Sequence, residues 1–148
     1  MSELTPELVS DAVRPALTKL YVTYFRKATP SSLSGPQLTI LSSLSDGSAA
    51  RISDIARREG IRMPTASNTL HQLEQRNLVE RVRDETDRRG VRVQLTDEGR
   101  AELEKVSDER NIQFAEMLTN LSKEELELLQ QVVPVINKMA ETYARNED

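Results

Sequence analysis

Residues 84–90 form a polar loop, Asp-Glu-Thr-Asp-Arg-Arg-Gly, between two segments that have the alternation of β-strands. Successive side chains of a strand point to opposite faces, so residues 78–83 and 91–96 would each bury one set and expose the other. The buried set is Val79, or Val82 after a one-residue shift, with Val91, Val93 and Leu95, whereas Arg81, Arg83 and Arg92 lie near solvent. The pattern predicts an arginine-tipped β-hairpin, although a plain solvated turn fits this segment alone equally well.

Two short amphipathic helices precede the hairpin. Residues 52–60 predict a helix that Ser53 caps and that ends at Gly60, and a second helix follows with Pro64 at its first position. Ala66, Leu70 and Leu73 form its buried face, and Asn77 is suited to a left-handed end. Two short helices joined by a glycine-containing turn predict a helix-turn-helix.

The outward face of the second helix carries hydrogen-bonding side chains. Once the buried positions are set aside, this face presents Thr65, Asn68, Thr69 and Gln72, with Arg62 and Arg76 at the ends of the helix. Asn and Gln can pair bidentately with adenine, and Thr can contact a thymine methyl, so this face is suited to base recognition. An ordinary solvated helix surface is the alternative, and the hairpin that follows favours the first interpretation, a winged helix-turn-helix.

Charge is distributed unevenly along the chain. Residues 1–50 hold 4 basic and 4 acidic side chains, residues 51–100 hold 11 and 9, and residues 101–148 hold 5 and 11, for a net charge of −4. Every cation of the middle segment is arginine, whose planar fork can grip phosphate or guanine with two hydrogen bonds. The middle segment is therefore the candidate DNA-binding face.

The terminal thirds predict long helices. The first helix begins at Thr5 and Pro6 and has an apolar stripe formed by Val9, Val13, Leu17, Leu20 and Tyr24. Pro15 interrupts this stripe, so the helix either kinks there or divides into two shorter helices. Ser34 and Gln37 form a capping box for a short second helix.

Near the C-terminus, Ser122 and Glu125 cap a helix with a heptad-like seam at Leu126, Leu129, Val133, Ile136, Ala140 and Tyr143. That seam needs a partner, either a second copy of the chain or the preceding helix through Leu103, Val106, Phe114 and Met117.

Several classes of function are disfavoured. The chain has no cysteine and a single histidine, His71, so no metal site, cofactor site or catalytic set can be assembled from the usual residues. No stretch approaches the roughly 20 apolar residues that span a bilayer, and the N-terminus lacks the pattern of a signal peptide. We expect a cytoplasmic protein that is not an enzyme and does not contact membranes.

Residues 52–99 resemble the multiple-antibiotic-resistance regulator (MarR) family. The resemblance lies in Pro-Thr-Ala-Ser at 64–67, in residues 73–81, and in Asp-Arg-Arg at 87–89 with Leu-Thr-Asp-Glu-Gly at 95–99. It extends over the whole chain, because the family places two helices before the winged region and two long ones after it. Met63 and Asn68 depart from the family pattern, which often has Ser or Thr and Arg there, so details of base recognition do not transfer.

The resemblance implies a homodimeric, usually repressing transcription factor that binds a palindromic operator in double-stranded DNA. Its recognition helix would contact the major groove through Pro64, Thr65, Ser67, Asn68, Thr69, His71 and Gln72. The wing would contribute Asp87, Arg88 and Arg89, of which Arg89 enters the minor groove, while Arg62 and Arg76 meet phosphates. The expected fold is mainly α with a small β-hairpin wing (α+β). It forms one domain over 1–148, with dimerisation helices at 1–30 and 100–148 and the DNA-binding region at 34–99.

Members of this family commonly bind small lipophilic or aromatic effectors, and the resemblance implies a repressor released by such a ligand. Tyr21, Tyr24, Phe25, Met63 and Phe114 are candidates to line its pocket, although apolar residues at these spacings are more often core. Two alternatives remain open, namely a winged-helix module that docks proteins and a DNA-binding regulator without a ligand.

Overall fold

The computed structural model describes residues 3–84, 86 and 90–145, and its description of side chains ends at residue 143. The elements are α1 (Pro6–Lys27), α2 (Gly35–Ser43), β1 (Ala50–Arg51), α3 (Ile52–Glu59), α4 (Met63–Gln75), β2 (Val79–Arg83), β3 (Val91–Leu95), α5 (Asp97–Leu118) and α6 (Lys123–Arg145). A mainly helical chain with one small antiparallel sheet confirms the predicted fold class.

The chain divides into two compact units, Met1–Pro30 and Ser31–Asp148. The first holds α1, which begins as expected, since the Thr5 hydroxyl accepts a hydrogen bond from the Leu8 backbone N–H and Pro6 occupies the first turn. Pro15 lies inside this helix and does not divide it in two.

Within the second unit, three strands form a sheet in the order β1-β3-β2. Val79 pairs with Leu95 and Arg83 with Val91, so the hairpin has the predicted register. Sequence reasoning missed β1, whose two residues pair with Val93 and Arg92. Val79 and Val93 are buried as predicted, whereas Val91 is 42% exposed because it lies at the end of the strand, beyond the core.

The core of the second unit lies between the sheet and the helices around it. It is built from Leu33, Ile40, Leu41, Leu44, Ala50, Ile55, Leu70, Leu73, Leu78, Val79, Val93, Leu103 and Val106. Leu70 and Leu73 anchor one face of α4 in this core, which leaves the opposite face of α4 exposed. The helix that was predicted to contact bases is therefore held rigidly from behind.

Two left-handed residues end the two helices of the helix-turn-helix. Gly60 has φ 61° at the end of α3 and Asn77 has φ 59° just after α4, as their positions in the sequence predicted. The predicted cap of α3 was wrong, because the helix begins at Ile52 with Arg51 as its N-cap, so that Ser53 lies inside it.

The start of α5 is fixed against the end of α4. The Thr96 hydroxyl accepts from the Gly99 backbone N–H (2.9 Å) and donates to the Asn77 carbonyl (2.6 Å). A Cβ added at Gly99 would lie 1.9 Å from the Leu78 carbonyl oxygen, so only glycine fits this approach of α5 to the residue just before β2.

Candidate nucleic-acid interface

Helix α4 presents a largely polar surface. Pro64, Thr65, Asn68, His71 and Gln72 are exposed, and Ser67 is half-buried. Ala66, Leu70 and Leu73 on the other side are each at most 1% exposed. Apart from Thr69, the structure therefore brings together on one helix the side chains that were predicted to contact bases.

Thr69 does not belong to that surface, and its predicted outward orientation was wrong. Its side chain is buried, with 7% of the residue exposed, and its hydroxyl donates to the Thr65 carbonyl (2.9 Å). A threonine hydroxyl that donates to a carbonyl of the preceding turn has its hydrogen-bonding capacity met within the helix. Thr69 thus supports α4 from within and presents no hydroxyl to a ligand.

Helix α2 contacts the outer face of α4 at Gln72. The Gln37 side-chain nitrogen donates to the Gln72 side-chain oxygen (3.3 Å), while the Gln37 oxygen accepts from the Ser34 backbone N–H (3.1 Å). Since Ser34 and Gln37 also form the predicted capping box of α2, Gln37 is held in place. The bond to Gln37 therefore orients the Gln72 amide at the surface.

The arginines expected at the two ends of α4 differ in their environment. Arg62 is the exposed N-cap residue, and no side chain caps the first turn. Arg76 is also exposed, but its Nη1 atom donates to the Ser32 carbonyl (2.8 Å). Arg76 thus joins the end of α4 to the segment before α2, and a phosphate contact would have to share its guanidinium with that bond.

A buried carboxylate lies at the base of the wing. Asp84 Oδ2 accepts from Arg51 Nε (3.0 Å) and Nη2 (2.7 Å), and Oδ1 accepts from the backbone N–H (3.1 Å) and hydroxyl (2.8 Å) of Thr86. Arg92 Nε lies 3.1 Å from Oδ2 at ion-pair distance, without the alignment of a hydrogen bond. The hydrogen bonds from Arg51, and after them those from Thr86, hold the pKa of the Asp84 carboxyl far below its usual range.

Sequence reasoning did not identify Asp84 or Arg51. Only the charged residues at the end of β2 pointed to this part of the molecule, and nothing in the sequence paired residue 84 with a residue 33 positions earlier. The predicted wing-tip residues Asp87, Arg88 and Arg89 lie outside the described residues, so their roles stay predictions.

The residues expected to line an effector pocket lie in different parts of the chain. Tyr21, Tyr24 and Phe25 form an aromatic group on α1, with ring centroids 4.4 Å apart for Tyr21 and Phe25 and 5.2 Å apart for Tyr24 and Phe25. Met63 is the exposed first residue of α4, and Phe114 lies on α5. Because α1 belongs to a separate unit, the effector pocket stays a prediction.

The described residues contain neither a metal-ligand cluster nor a membrane-spanning helix. No three His, Asp or Glu side chains among residues 3–84, 86 and 90–145 are grouped so that they could hold a metal ion. In the same residues, no helix combines the length and hydropathy needed to cross a bilayer.

Comparisons with known proteins agree with the geometry of α4 and the sheet. The family model described as "MarR family" matches residues 33–91. The chain is 32% identical over 106 residues to the HTH-type transcriptional repressor MdtR of Bacillus subtilis (strain 168), a match that covers 72% of this chain and 68% of MdtR.

Solved structures with the same fold include regulators described with DNA and with a regulating ligand. The transcriptional repressor CouR, bound to a 23-mer DNA duplex, is similar with a TM-score of 0.68 and 27% identity, over 91% of this chain and 99% of that one. The structure of Bordetella bronchiseptica BpsR is described as showing a mechanism for regulation of its DNA binding by 6-hydroxynicotinic acid. It is similar to this chain with a TM-score of 0.67 and 27% identity, over 90% of this chain and 98% of that one.

The match to MdtR spans more than two thirds of both proteins, and the family model covers the helix-turn-helix and most of the sheet. As predicted, these relatives are transcriptional regulators and not enzymes. The chain therefore belongs to the MarR family of DNA-binding transcriptional regulators.

Proposed function

We propose that this protein is a homodimeric repressor that binds a palindromic operator and is released by a small lipophilic or aromatic effector. The observation that carries this proposal is the polar outer face of α4, held from behind by the buried side chains of Ala66, Leu70 and Leu73. MdtR is named a repressor and CouR was solved on DNA, which supports the same role here.

In the proposed complex, α4 enters the major groove. Thr65, Asn68 and Gln72 carry the donors and acceptors that base edges require, and Asn and Gln can each pair with adenine through two bonds. Arg88 and Arg89 of the wing would contact the neighbouring minor groove and its phosphates. Arg62 would bind phosphate beside the first turn of α4.

A second copy of the chain is the proposed partner of α6. The seam predicted from the sequence is exposed in the single chain, from 36% at Leu129 to 73% at Tyr143, so the preceding helix does not cover it. Such a stripe of apolar side chains stabilises a dimer when two copies bury it together. A dimer would place two copies of α4 against half-sites about 34–36 Å apart.

The test of specific DNA binding is a selection of duplexes from a random pool, followed by binding measurements at several salt concentrations. We expect a two-fold symmetric consensus and an affinity that falls with salt at a log–log slope of about −0.9 per neutralised phosphate. Asn68→Ala should lower the affinity for the selected operator about 5- to 150-fold, the range expected for loss of one bidentate base contact. A protein-docking module would give no consensus and no steep salt dependence.

Asn120→Ala is the matched control, because Asn120 is an exposed asparagine in the turn between α5 and α6. We expect this variant to bind the operator as the unmodified protein does. Equal losses in the two variants would show that Asn68 has no particular part in base recognition.

Release by an effector is tested by titrating small aromatic carboxylic acids into the protein–operator complex. BpsR is described as regulated by 6-hydroxynicotinic acid, which makes that compound a suitable first probe. We expect at least one such acid to lower operator affinity and to raise the melting temperature of the free protein, because a ligand that binds the folded state stabilises it. No response across a broad set of acids would favour a regulator without a ligand.

A further inference from the structure

The Asp84 carboxylate is a point at which three separate segments of the winged region meet. Arg51 comes from β1, where it is also the N-cap residue of α3; Arg92 comes from β3, and Thr86 from the loop that follows β2. Only 2% of the Asp84 side chain is exposed, whereas 41% of the Arg51 side chain is. The carboxylate is thus buried beneath side chains that reach the surface.

A buried carboxylate is costly unless its oxygens are hydrogen-bonded and its charge is paired. Both conditions hold, because Oδ2 receives two bonds from the planar fork of Arg51 and Oδ1 receives two from Thr86. An arginine fork fixes the orientation of its partner as well as its distance. The cluster therefore specifies one geometry for the start of the loop relative to β1.

Two further bonds extend this constraint. The Asp84 backbone N–H donates to the Gly90 carbonyl (3.1 Å), which brings together the two ends of the loop 84–90. Arg92 Nη1 donates to the Ala49 carbonyl (3.3 Å), which ties β3 to the residue before β1. Both ends of the loop are therefore attached to the segment that leads into the helix-turn-helix.

We propose that Asp84 is a positioning residue for operator binding, because it holds the wing in a fixed place relative to helices α3 and α4. This inference rests on the proposed function, since it requires that the wing and α4 contact the same duplex. Asp84 itself contacts no DNA in this proposal, because its side chain is buried. Its effect passes through Arg51, Thr86 and Arg92.

The substitution Asp84→Asn gives a test in which electrostatics and positioning predict opposite changes in operator affinity. Removing a negative charge from a DNA-binding surface strengthens binding to phosphates in general. Loss of positioning instead weakens binding where wing and helix must fit one site together. We expect the affinity for the selected operator to fall about tenfold, while the affinity for a random duplex at the same salt stays equal or rises. Operator affinity that is unchanged or increased would overturn the proposal.

Asp54→Asn is the matched control. Asp54 also pairs with an arginine, since Arg57 Nη2 lies 2.7 Å from its Oδ1, but this pair is exposed and lies within α3 alone. The charge change is the same as in Asp84→Asn, so operator affinity should stay equal or rise slightly. A tenfold loss in this control as well would show that the loss of affinity is not specific to the position of Asp84, and would also overturn the proposal.

Two milder variants keep the test decisive if Asp84→Asn does not fold. Arg51→Lys keeps the charge but removes the fork, and Thr86→Val removes one hydroxyl donor from an exposed residue. Each should lower the ratio of operator to random-duplex affinity about threefold with an unchanged melting temperature, a result that general destabilisation would not give. Unchanged ratios in both variants would contradict a positioning role.

The two proposals fail in different ways. If the unmodified protein selects no operator, the proposed function fails. If it binds an operator and the variants at residues 51, 84 and 86 bind it equally well, only the positioning role fails.

Discussion

At the scale of single residues, Asp84 illustrates what a buried ion pair contributes. The attraction between Asp84 and the guanidinium of Arg51 is largely offset by the cost of removing the carboxylate from water, whereas 41% of the Arg51 side chain stays exposed. Breaking the pair from one side is nonetheless expensive, because the remaining charge loses its partner. Such a cluster is therefore better understood as a constraint on geometry than as a large source of stability.

The low pKa of Asp84 predicts how stability depends on pH. Because the folded-state pKa lies below the ordinary value of about 3.9, the ionised carboxylate favours folding above pH ~4, and this contribution is lost as the pH falls toward the depressed pKa. Urea unfolding of the unmodified protein and of Asp84→Asn should therefore differ most near pH 7. The difference should shrink below pH ~4, and a constant difference would contradict the assignment.

Helix α4 shows how far burial of single residues could be predicted from the sequence. The buried positions 66, 70 and 73 of α4 were predicted correctly from their spacing. At about 100° per residue, Thr69 lies within roughly 60° of that face, so helix geometry could have placed it inside. The pairing of Asp84 with Arg51 could not be predicted, because it depends on a fold that brings distant segments together.

At the scale of secondary-structure elements, the close approach of α5 to the residue before β2 requires a position without a side chain. Gly99 lies in the first turn of α5, directly over the Leu78 carbonyl. The Thr96 hydroxyl caps the same turn and bonds to the residue after α4. The end of α4, the start of β2 and the start of α5 therefore meet at a single junction.

Gly99→Ala should destabilise the protein by about 1–3 kcal/mol, because the new methyl group must displace backbone rather than a flexible side chain. Gly35→Ala is the control, since nothing lies within 4 Å of a Cβ added at this first residue of α2. That change should be neutral or stabilising by up to about 1 kcal/mol. Both values follow from urea unfolding, and equal effects at the two sites would contradict the close approach at Gly99.

The elements differ in how well the sequence predicted them. The helices and the β2–β3 hairpin follow from local spacing and from caps such as the Ser122–Glu125 pair, whose two bonds are present at 2.8 and 3.2 Å. Strand β1 consists of only two residues, so local sequence carries almost no signal for it. It exists because β3 offers a free edge next to Ala50 and Arg51.

At the scale of the whole molecule, the described part of the chain leaves the apolar seam of α6 exposed. Its seam residues Leu126, Val133 and Ile136 are 41%, 47% and 47% exposed. The segment 101–148 also carries a net charge of −6 from 5 basic and 11 acidic residues, which disfavours contact with DNA. Both features suit the proposed role of α6 in pairing two copies.

Ile136→Glu should convert the proposed dimer into a monomer, because each copy would have to bury an unpaired carboxylate in the shared apolar seam. Operator affinity should fall more than tenfold, since each monomer would bind only one half-site. Gln131→Glu adds the same charge on the opposite side of α6 by helix geometry and should remain dimeric. Sedimentation velocity measures the first effect, and a dimeric Ile136→Glu variant would exclude this seam as the interface.

The Thr96 hydroxyl has a consequence for signal transmission over the whole protein. It starts the 22-residue helix α5 and also binds the Asn77 carbonyl, just beyond the end of α4. A small tilt of α5 must therefore shift the adjoining end of α4, or else break this bond. In the proposed dimer, a compound that moves α5 would thus alter the spacing of the two α4 helices from a distance, without touching either of them.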